Sequence, residues 1–340
     1  MSCVVARALA SWVCLAGILH SAELTISNPL APRLQVQGPV STTQAILWTD
    51  NLADAGGVRW RVLTNLSITA GTPREVLVDP AQTGHRFYRA FEVPTNFVWL
   101  PPATFLAGSP PTEAERDVEF REIQHQVTLT RGVWMAQFEV TQALYAELTG
   151  RTQSTFRGPS LPMESVSWHE ATNFCGLLTQ REQAAGRLPQ GLVYRLPTES
   201  EWEYGCRAGT TTAFSFGPAL RAGMARFNTQ EEYDEATGTK FGAPDPLPMG
   251  PVPVGSYQPN AFGLHDMHGN VSEWCADGYD DYSVDPIVDP QGVLDHSHVA
   301  VRGGAWDVGG RICRSARRYA GVPEHAHYAI GFRIALSPLP

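Results

Sequence analysis

The chain of 340 residues predicts an α+β fold that is irregular and loop-rich, with short strands and a few helices, preceded by a small all-β module. Charged residues make up only 17% of it, while it holds 31 Gly, 26 Pro and 9 Trp. This balance favours short strands and turns over a helical bundle. The order of patterns agrees, because β-prone pieces come first and three amphipathic segments follow. A hydrophobic content of 43% supports a buried core.

The first 22 residues have the pattern of a secretory signal peptide. Arg7 precedes an apolar run from Ala8 to Leu19, and small residues then precede the polar Glu23. The run is too short to span a bilayer, and no transmembrane run follows it. An uncleaved anchor is the alternative. The predicted location is therefore exported, meaning periplasmic, cell-surface or extracellular, where disulfides form.

Residues 30–95 are expected to form the small β module. The pieces QAILW, VRWRVL, REVLV and HRFYRAF are β-prone, and turn-forming residues separate them. About 60 residues are marginal for an independent domain. The module contains no chemical motif.

The main domain is expected at residues 97–336 and begins with FVWLPPATFLAGS, in which Pro101 and Pro102 join two apolar pieces that predict a hairpin. A first helix, QALYAELTG, has Thr141 as its predicted N-cap and ends at Gly150.

A second helix is predicted from a capping box of Ser167 and Glu170, with Cys175 on or beside its buried stripe. The third and shorter helix has Thr198 as its cap and Glu201 closing the box, and a glycine, Gly205 or Gly209, lies near its end.

The net charge of -9 and the pI near 5.6 argue against a nucleic-acid partner, since binding to phosphates needs a basic face. Residues 217–260 form a long irregular stretch, and such loops are usually functional or held by ions.

Six strings in the main domain carry a family resemblance. They are FEVTQALYAEL, VSWHEATNFC, LPTESEWEY, GLHDMHGNVSEW, RGGAW and GFR, in this order between Phe97 and Ala335. The chain thereby resembles the formylglycine-generating enzyme family, also called sulfatase-modifying factors. The resemblance implies a C-type-lectin-like fold with few regular elements.

Active members of that family hold two cysteines, five positions apart, just after the RGG motif. The pair binds copper and oxidises a cysteine of a sulfatase peptide, because two soft thiolates suit Cu(I). Here Val308 occupies the first position and no second free thiol is available. Copper is therefore not expected, and Cys313 is the only weak candidate for a catalytic residue.

The resemblance also implies a structural role for Cys313, in a disulfide with Cys206. This disulfide would close a long loop and contribute roughly 4 to 5 kcal/mol in the chain-entropy model. Cys175 lacks its usual family partner, since Ile334 occupies that position. Either Cys275 replaces the partner, or Cys175 and Cys275 are both buried and free.

The resemblance maps a calcium site onto Asp266, Glu273 and the backbone carbonyls of Gly269 and Val271. Hard oxygen ligands on a tight loop suit this ion, and a salt-bridged turn without an ion is the alternative. A second calcium site would use the three positions Asn228, the Thr229 carbonyl and Asp245.

The histidines cluster or alternate along the chain but are interpreted as solvated polar residues rather than a transition-metal site: His265, His268, His296, His298, His325 and His327. Trp202, Trp274 and Trp306 are expected in the core, with their indole N–H groups on loop carbonyls. Arg302 and Arg333 are expected to form structural ion pairs with loop carboxylates.

The function predicted from the sequence is recognition of a peptide, protein or glycan by a calcium-stabilised, non-catalytic domain. The binding surface is expected on the segments 221–258 and 279–298, by analogy with the fold. The competing hypothesis is an enzyme, either a formylglycine-generating oxidase with a rearranged copper site or another oxidase that uses the histidines.

Overall fold

A computed structural model describes residues 2–8, 11–17, 23–27, 33–37, 42–49, 61–68, 74–77, 86–117, 122–244, 248–293 and 296–338. The chain divides into two compact units. The first contains residues 1–97, 178–193 and 337–340, and the second contains residues 98–177 and 194–336. None of the helices in the described ranges has the length and apolar character that a membrane crossing requires.

The residues described up to position 93 form eight strands: β1 (Ser2–Ala8), β2 (Ser11–Gly17), β3 (Glu23–Ser27), β4 (Arg33–Gln37), β5 (Thr42–Thr49), β6 (Arg61–Ile68), β7 (Arg74–Leu77) and β8 (Arg86–Val93). They form a five-stranded sheet in the order β1-β2-β8-β5-β6 and a three-stranded sheet in the order β3-β4-β7. Ala45, Ile46 and Leu47 of β5 are fully buried. Strands β1 and β2 fall within the signal peptide, which remains a prediction.

From residue 97 onward the described residues form fourteen further strands: β9 (Phe97–Leu100), β10 (Ala103–Ala107), β11 (His125–Leu129), β12 (Val133–Ala136), β13 (Leu192–Arg195), β14 (Ala219–Leu220), β15 (Glu231–Asp234), β16 (Gly238–Phe241), β17 (Ser272–Gly278), β18 (Ile287–Val288), β19 (Val299–Arg302), β20 (Tyr319–Gly321), β21 (Ile330–Gly331) and β22 (Ala335–Pro338). The helices are α1 (Gln142–Thr149), α2 (Trp168–Ala184), α3 (Glu199–Arg207) and a 3-10 helix (Gly310–Cys313). Three α-helices among many short strands in the described residues confirm the predicted α+β class.

The strands of the second unit belong to small sheets, of which the central one has the order β20-β19-β17-β21. In it, β19 pairs antiparallel with β17, so that Arg302 lies opposite Glu273, and β21 pairs parallel with β17. The predicted hairpin is wrong, because β9 joins the sheet of β12 while β10 pairs antiparallel with β11. The two apolar pieces therefore stabilise different sheets. The core beneath them contains Trp202, Leu264 and Met267, all almost completely buried.

The helix starts follow the predicted caps. The Thr141 side chain accepts the Leu144 N–H at 3.2 Å. Ser167 and Glu170 cap α2 reciprocally, at 3.2 Å and 3.0 Å. Thr198 and Glu201 form a complete capping box on α3, whose C-cap is a left-handed Ala208 with φ of 47°, and Gly205 and Gly209 lie near this end as predicted.

Gly176 lies on the exposed face of α2, in the helix interior, and a Cβ added there would meet no atom within 4 Å. Glycine lowers helix stability because its unfolded backbone is freer than that of alanine. We therefore expect Gly176→Ala to raise the free energy of unfolding by about 0.5 to 1 kcal/mol. Urea unfolding at equal protein concentration measures this gain, and a destabilised variant would contradict it.

Candidate functional site

Two arginines in the motifs of the second unit are buried in ion pairs, as predicted. Arg333 donates to both carboxylate oxygens of Glu273, with N–O distances of 2.7 Å. Arg302 pairs with Glu203 and lies 3.4 Å from Glu199, so its partners are carboxylates of helix α3 rather than of a loop. The pairs of Arg302, the last residue of β19, hold the central sheet against α3, whereas Arg333, which follows β21, pairs with Glu273 of β17 within that sheet.

The turn from Asp266 to Asn270 is a left-handed loop that the RGGAW segment holds in place. Asp266 has φ of 57°, Gly269 of 99° and Asn270 of 61°. The Gly269 N–H donates to the Gly303 carbonyl at 2.8 Å, and the Trp306 N–H donates to the Asn270 carbonyl at 2.9 Å. Two strings that lie far apart in sequence thus form one structural unit.

Two buried carboxylate oxygens next to this turn have no hydrogen-bond partner among the described residues, Oδ1 of Asp266 and Oε2 of Glu139. Burial raises the pKa of both groups, and the charges of Asp266 and Glu273 raise the pKa of Glu139 further. Sequence reasoning missed Glu139, although it stands in the FEVTQ string. Unpaired buried oxygens are costly unless a cation or a proton satisfies them.

The predicted ligand set fits calcium in part. Asp266 offers a free oxygen, but both oxygens of Glu273 already accept hydrogen bonds, from Arg333 and from the Trp202 indole at 2.7 Å. The described residues contain no group of three or more His, Cys, Asp or Glu side chains placed to hold a metal ion. An ion here would therefore depend on Asp266, Glu139 and backbone carbonyls such as those of Gly269 and Val271.

The second predicted calcium site lies partly outside the described residues, because Asp245 is not among them. Asn228 uses its side-chain oxygen to accept the Gln230 N–H at 3.2 Å, which closes a local turn. Thr229 is buried. This site remains a prediction.

The four cysteines of the second unit are buried and form no disulfide: Cys175, Cys206, Cys275 and Cys313. The predicted Cys206–Cys313 disulfide is thus not formed in this structure. The Cys206 Sγ instead lies 3.7 Å from Nε2 of His268, and the Cys313 Sγ lies 3.8 Å from the Gly309 carbonyl oxygen. For Cys175 and Cys275, the structure shows the second of the two alternatives.

Burial also controls the chemistry of these side chains. It raises the pKa of the Cys206 thiol to about 12 and raises that of Cys313 as well, so both are protonated at neutral pH. Burial lowers the pKa of His268 to about 4. Its neutral ring donates from Nδ1 to the Cys313 carbonyl at 2.8 Å and accepts the Ser215 N–H at 3.1 Å.

The three motif tryptophans are buried, as predicted, but only one bonds a carbonyl. Trp274 donates to the Val166 carbonyl at 2.9 Å. Trp202 donates to the Glu273 carboxylate, and the Trp306 Nε1 has no partner among the described residues. Trp306 packs edge-on against Phe156, with ring centroids 5.3 Å apart.

A cavity of about 370 Å³ opens beside the RGGAW string, and we call it the RGGAW cleft. Gly303 and Gly304 line it together with apolar side chains and a rim of polar groups: Val308, Ile312, Ala329, Ile330, Asp307, Arg317, Tyr319 and His327. No cysteine is among the lining residues. Cys313 lies behind Gly304, where an added Cβ would come within 2.6 Å of its Sγ.

Asp277 is a buried carboxylate at the end of β17, and it accepts the Glu199 N–H at the start of α3. Burial, with the charges of Glu199 and Glu201, raises its pKa to about 7. An unfolded chain would release this proton near pH 4. The folded state therefore holds more protons than the unfolded state between pH 4 and 7, so Asp277 lowers stability increasingly as pH rises through that window.

We expect Asp277→Asn to raise the free energy of unfolding by about 3 kcal/mol at pH 8 and to change it little at pH 4. The asparagine oxygen still accepts the Glu199 N–H, so the helix start is preserved. Urea unfolding of both proteins at the two pH values measures the effect. A difference that does not change with pH would contradict it.

Comparison with solved structures defines the class of protein. The chain is similar to Treponema denticola variable protein 1, with a TM-score of 0.57 at 22% identity over 73% of this chain and 96% of that one. It is also similar to PvdO from Pseudomonas aeruginosa, with a TM-score of 0.55 at 28% identity over 72% of this chain and 94% of that one. The fold is therefore the irregular, loop-rich α+β fold of formylglycine-generating-enzyme-like domains.

The sequence comparison then gives the family. Residues 87–338 match the family description "Sulfatase-modifying factor enzyme 1-like domain", and the chain belongs to this family. It is 32% identical to the formylglycine-generating enzyme of Streptomyces coelicolor over 198 residues, 56% of this chain and 55% of the relative. It is 28% identical to the Mus musculus enzyme over 223 residues, 64% and 54% of the two chains. The matches span about half the length of these relatives.

Proposed function

We propose that this protein is an exported recognition domain, stabilised by calcium and without oxidase activity, that binds a peptide, protein or glycan. The observation that supports the proposal best is the RGGAW cleft, which is open but has Val308 on its wall and no cysteine in its lining. Copper chemistry of the family type needs two thiolates, and the buried thiols of Cys206 and Cys313 are protonated at neutral pH. A cleft without its redox groups keeps the capacity to bind.

The exposed apolar side chains support the two predicted binding segments. Among the described residues, ten large hydrophobic side chains are exposed, and three lie in each of the segments 221–258 and 279–298. Phe241 is 99% exposed and Met249 81%, while Val284 is 70% exposed. Exposed apolar side chains on these segments are available to contact a partner.

The competing function is a formylglycine-generating oxidase with a rearranged site, and the names of the relatives favour it. The two functions separate when the purified protein is loaded with Cu(I) and then offered oxygen and a peptide that contains a sulfatase-type cysteine motif. We expect neither stoichiometric copper nor aldehyde formation. Bound copper together with aldehyde product would overturn the recognition proposal.

A second experiment tests binding and uses arrays of peptides and glycans as probes. Val308→Trp fills the RGGAW cleft, and Leu106→Trp introduces the same side chain at an exposed position outside both the cleft and the two binding segments. Any probe held in the cleft should lose at least tenfold in affinity with the first variant and keep its affinity with the second. Equal affinities for both variants would show that the cleft is not the binding site.

Calcium is proposed as a structural ion at the turn from Asp266 to Asn270. A ligand that binds only the folded state raises its stability by mass action. Excess EGTA should therefore lower the melting temperature of the native protein by several degrees, and added Ca²⁺ should restore it. The variant Asp266→Ala should melt lower and respond little to EGTA. An equal response of both proteins would contradict an ion at Asp266.

A further inference from the structure

A second cavity, of about 320 Å³, lies where β17 and the loop that follows it meet the start of α3. We call it the acidic cavity, because four of its lining residues are the aspartates Asp277, Asp280, Asp281 and Asp285. Its volume is at the lower end of the range, about 300 to 1,000 Å³, in which pockets hold small organic groups. It adjoins the RGGAW cleft, since Arg318 lines both.

The basic group in the wall of this cavity is already neutralised. Arg318 donates to both oxygens of Glu199 at 2.6 Å and to the Asp280 carbonyl at 2.8 Å. Its guanidinium also lies 3.7 Å above the ring of Tyr282, whose edge packs on His125. The charges of Arg318 and Glu199 therefore cancel each other. These contacts also hold the Arg318 guanidinium away from the aspartate carboxylates.

The four aspartates have no such ion pair. In the part of the chain that the structure describes, no Arg, Lys or His side chain lies within ion-pair distance of any of them. Arg195, which pairs with Glu201, acts on Asp277 only by its charge from a longer distance. Asp280, Asp281 and Asp285 are exposed at the rim, whereas Asp277 is only 4% exposed. The Oδ2 of Asp277 accepts the Glu199 N–H, and its Oδ1 has no hydrogen-bond partner in the same part of the chain.

This arrangement selects an organic cation over a bare metal ion. A metal ion needs several ligand oxygens within about 2.6 Å of one point, and the described carboxylates are not gathered in this way. They are instead distributed from the floor to the rim of a cavity that is wide enough for a long side chain. A flexible chain that ends in a guanidinium or ammonium group matches this distribution, because its charge can reach Asp277 while the rim attracts it.

We propose that the acidic cavity binds the cationic side chain of a basic peptide segment, with Asp277 at the floor and Asp281 and Asp285 at the rim. The inference rests on the proposed function, since it names the chemistry of the partner that the recognition domain binds. Most residues that line the cavity belong to the predicted segment 279–298, and the cavity adjoins the RGGAW cleft, so one peptide can occupy both.

The test uses a fluorescent peptide in which a single arginine is flanked by Gly and Ser, and a matched peptide that carries citrulline in its place. Citrulline keeps the shape of arginine and removes its charge. Binding to the full chain is measured by fluorescence anisotropy at 50 and 300 mM NaCl. We expect the citrulline peptide to bind at least tenfold more weakly, and the arginine peptide to weaken as salt rises.

Two sets of variants make the test specific. Asp277→Asn and the double variant Asp281→Asn with Asp285→Asn should each weaken binding of the arginine peptide at least fivefold. The double variant Glu147→Gln with Glu324→Gln removes the same two charges at exposed positions outside the cavity and should leave binding unchanged. Equal losses in the two double variants would show attraction to net charge alone and would overturn the proposal. So would an absence of arginine-peptide binding at millimolar concentration.

The failure of this inference can be distinguished from the failure of the proposed function. The recognition proposal fails on bound copper and aldehyde formation, neither of which involves the acidic cavity. The present inference fails on the comparison of arginine with citrulline, even when a probe from the arrays binds in the RGGAW cleft. Val308→Trp should not change the affinity of the single-arginine peptide, because Val308 does not line the acidic cavity.

Discussion

The variant Arg333→Met should lose about 5 kcal/mol or more of its free energy of unfolding. Arg333 is fully buried and donates to both oxygens of Glu273 and to the carbonyls of Ala136 and His265. Removing one partner of a buried pair costs about 3 to 5 kcal/mol, because the other charge stays buried alone. Here Glu273 would also face Glu139 without a cation between them, and two carbonyls would lose their donor.

Urea unfolding measures this loss, and two variants control it. Arg151→Met removes an arginine whose contact with Glu170 is 3.6 Å long and whose side chain is 66% exposed, so it should cost less than about 0.5 kcal/mol. The double variant Arg333→Met with Glu273→Gln removes both charges and should recover at least about 2 kcal/mol of the loss. A double variant no more stable than Arg333→Met would show that the ion pair is not the cause.

The second large effect is expected at Gly269, where we expect alanine to cost about 4 kcal/mol or more. The backbone φ there is +99°, and an added Cβ would lie 2.2 Å from the carbonyl oxygen of Arg226. That carbonyl cannot move freely, because it accepts the Asn270 N–H at 2.7 Å. The substitution therefore combines backbone strain with a clash against fixed backbone.

Gly150→Ala is the matched control for this prediction. Its φ is +71°, but an added Cβ would meet no atom within 4 Å. It therefore isolates the conformational cost, which is about 1 kcal/mol. Thermal or urea unfolding of the two variants separates the cost of the backbone conformation from the cost of the clash with Arg226. Equal losses of stability in both variants would show that the clash contributes nothing.

Local signals explain why the helices were predictable. The Thr198 and Glu201 capping box involves atoms three residues apart, so short-range chemistry decides where α3 begins. The prediction of the hairpin was wrong because strand pairing is not a short-range property. Nothing in FVWLPPATFLAGS indicates that β10 pairs with β11, some twenty residues later, because strand pairing depends on segments that the local sequence does not contain.

The candidate site was likewise predictable only where residue type or short spacing decides. The ordered motifs identified the family and the position of Asp266. The amino-acid sequence also showed that Val308 replaces a cysteine. Glu139 could not be assigned, since its unpaired oxygen becomes significant only when the fold buries it near Asp266. The contact of the Cys206 Sγ with the His268 ring, at 3.7 Å, likewise joins residues far apart in the chain and is not indicated by their spacing.

The sequence by itself determined the family, the α+β class, the starts of the helices and the absence of the cysteine pair after RGGAW, because each of these is a matter of residue type and short spacing. Tertiary structure alone decided which charges are paired and which are not. Arg318 is neutralised by Glu199, while no described residue forms an ion pair with Asp277 or with the other aspartates around the acidic cavity. The physical reason is that ion pairing and burial depend on distances between residues far apart in the chain, which spacing along the sequence does not specify.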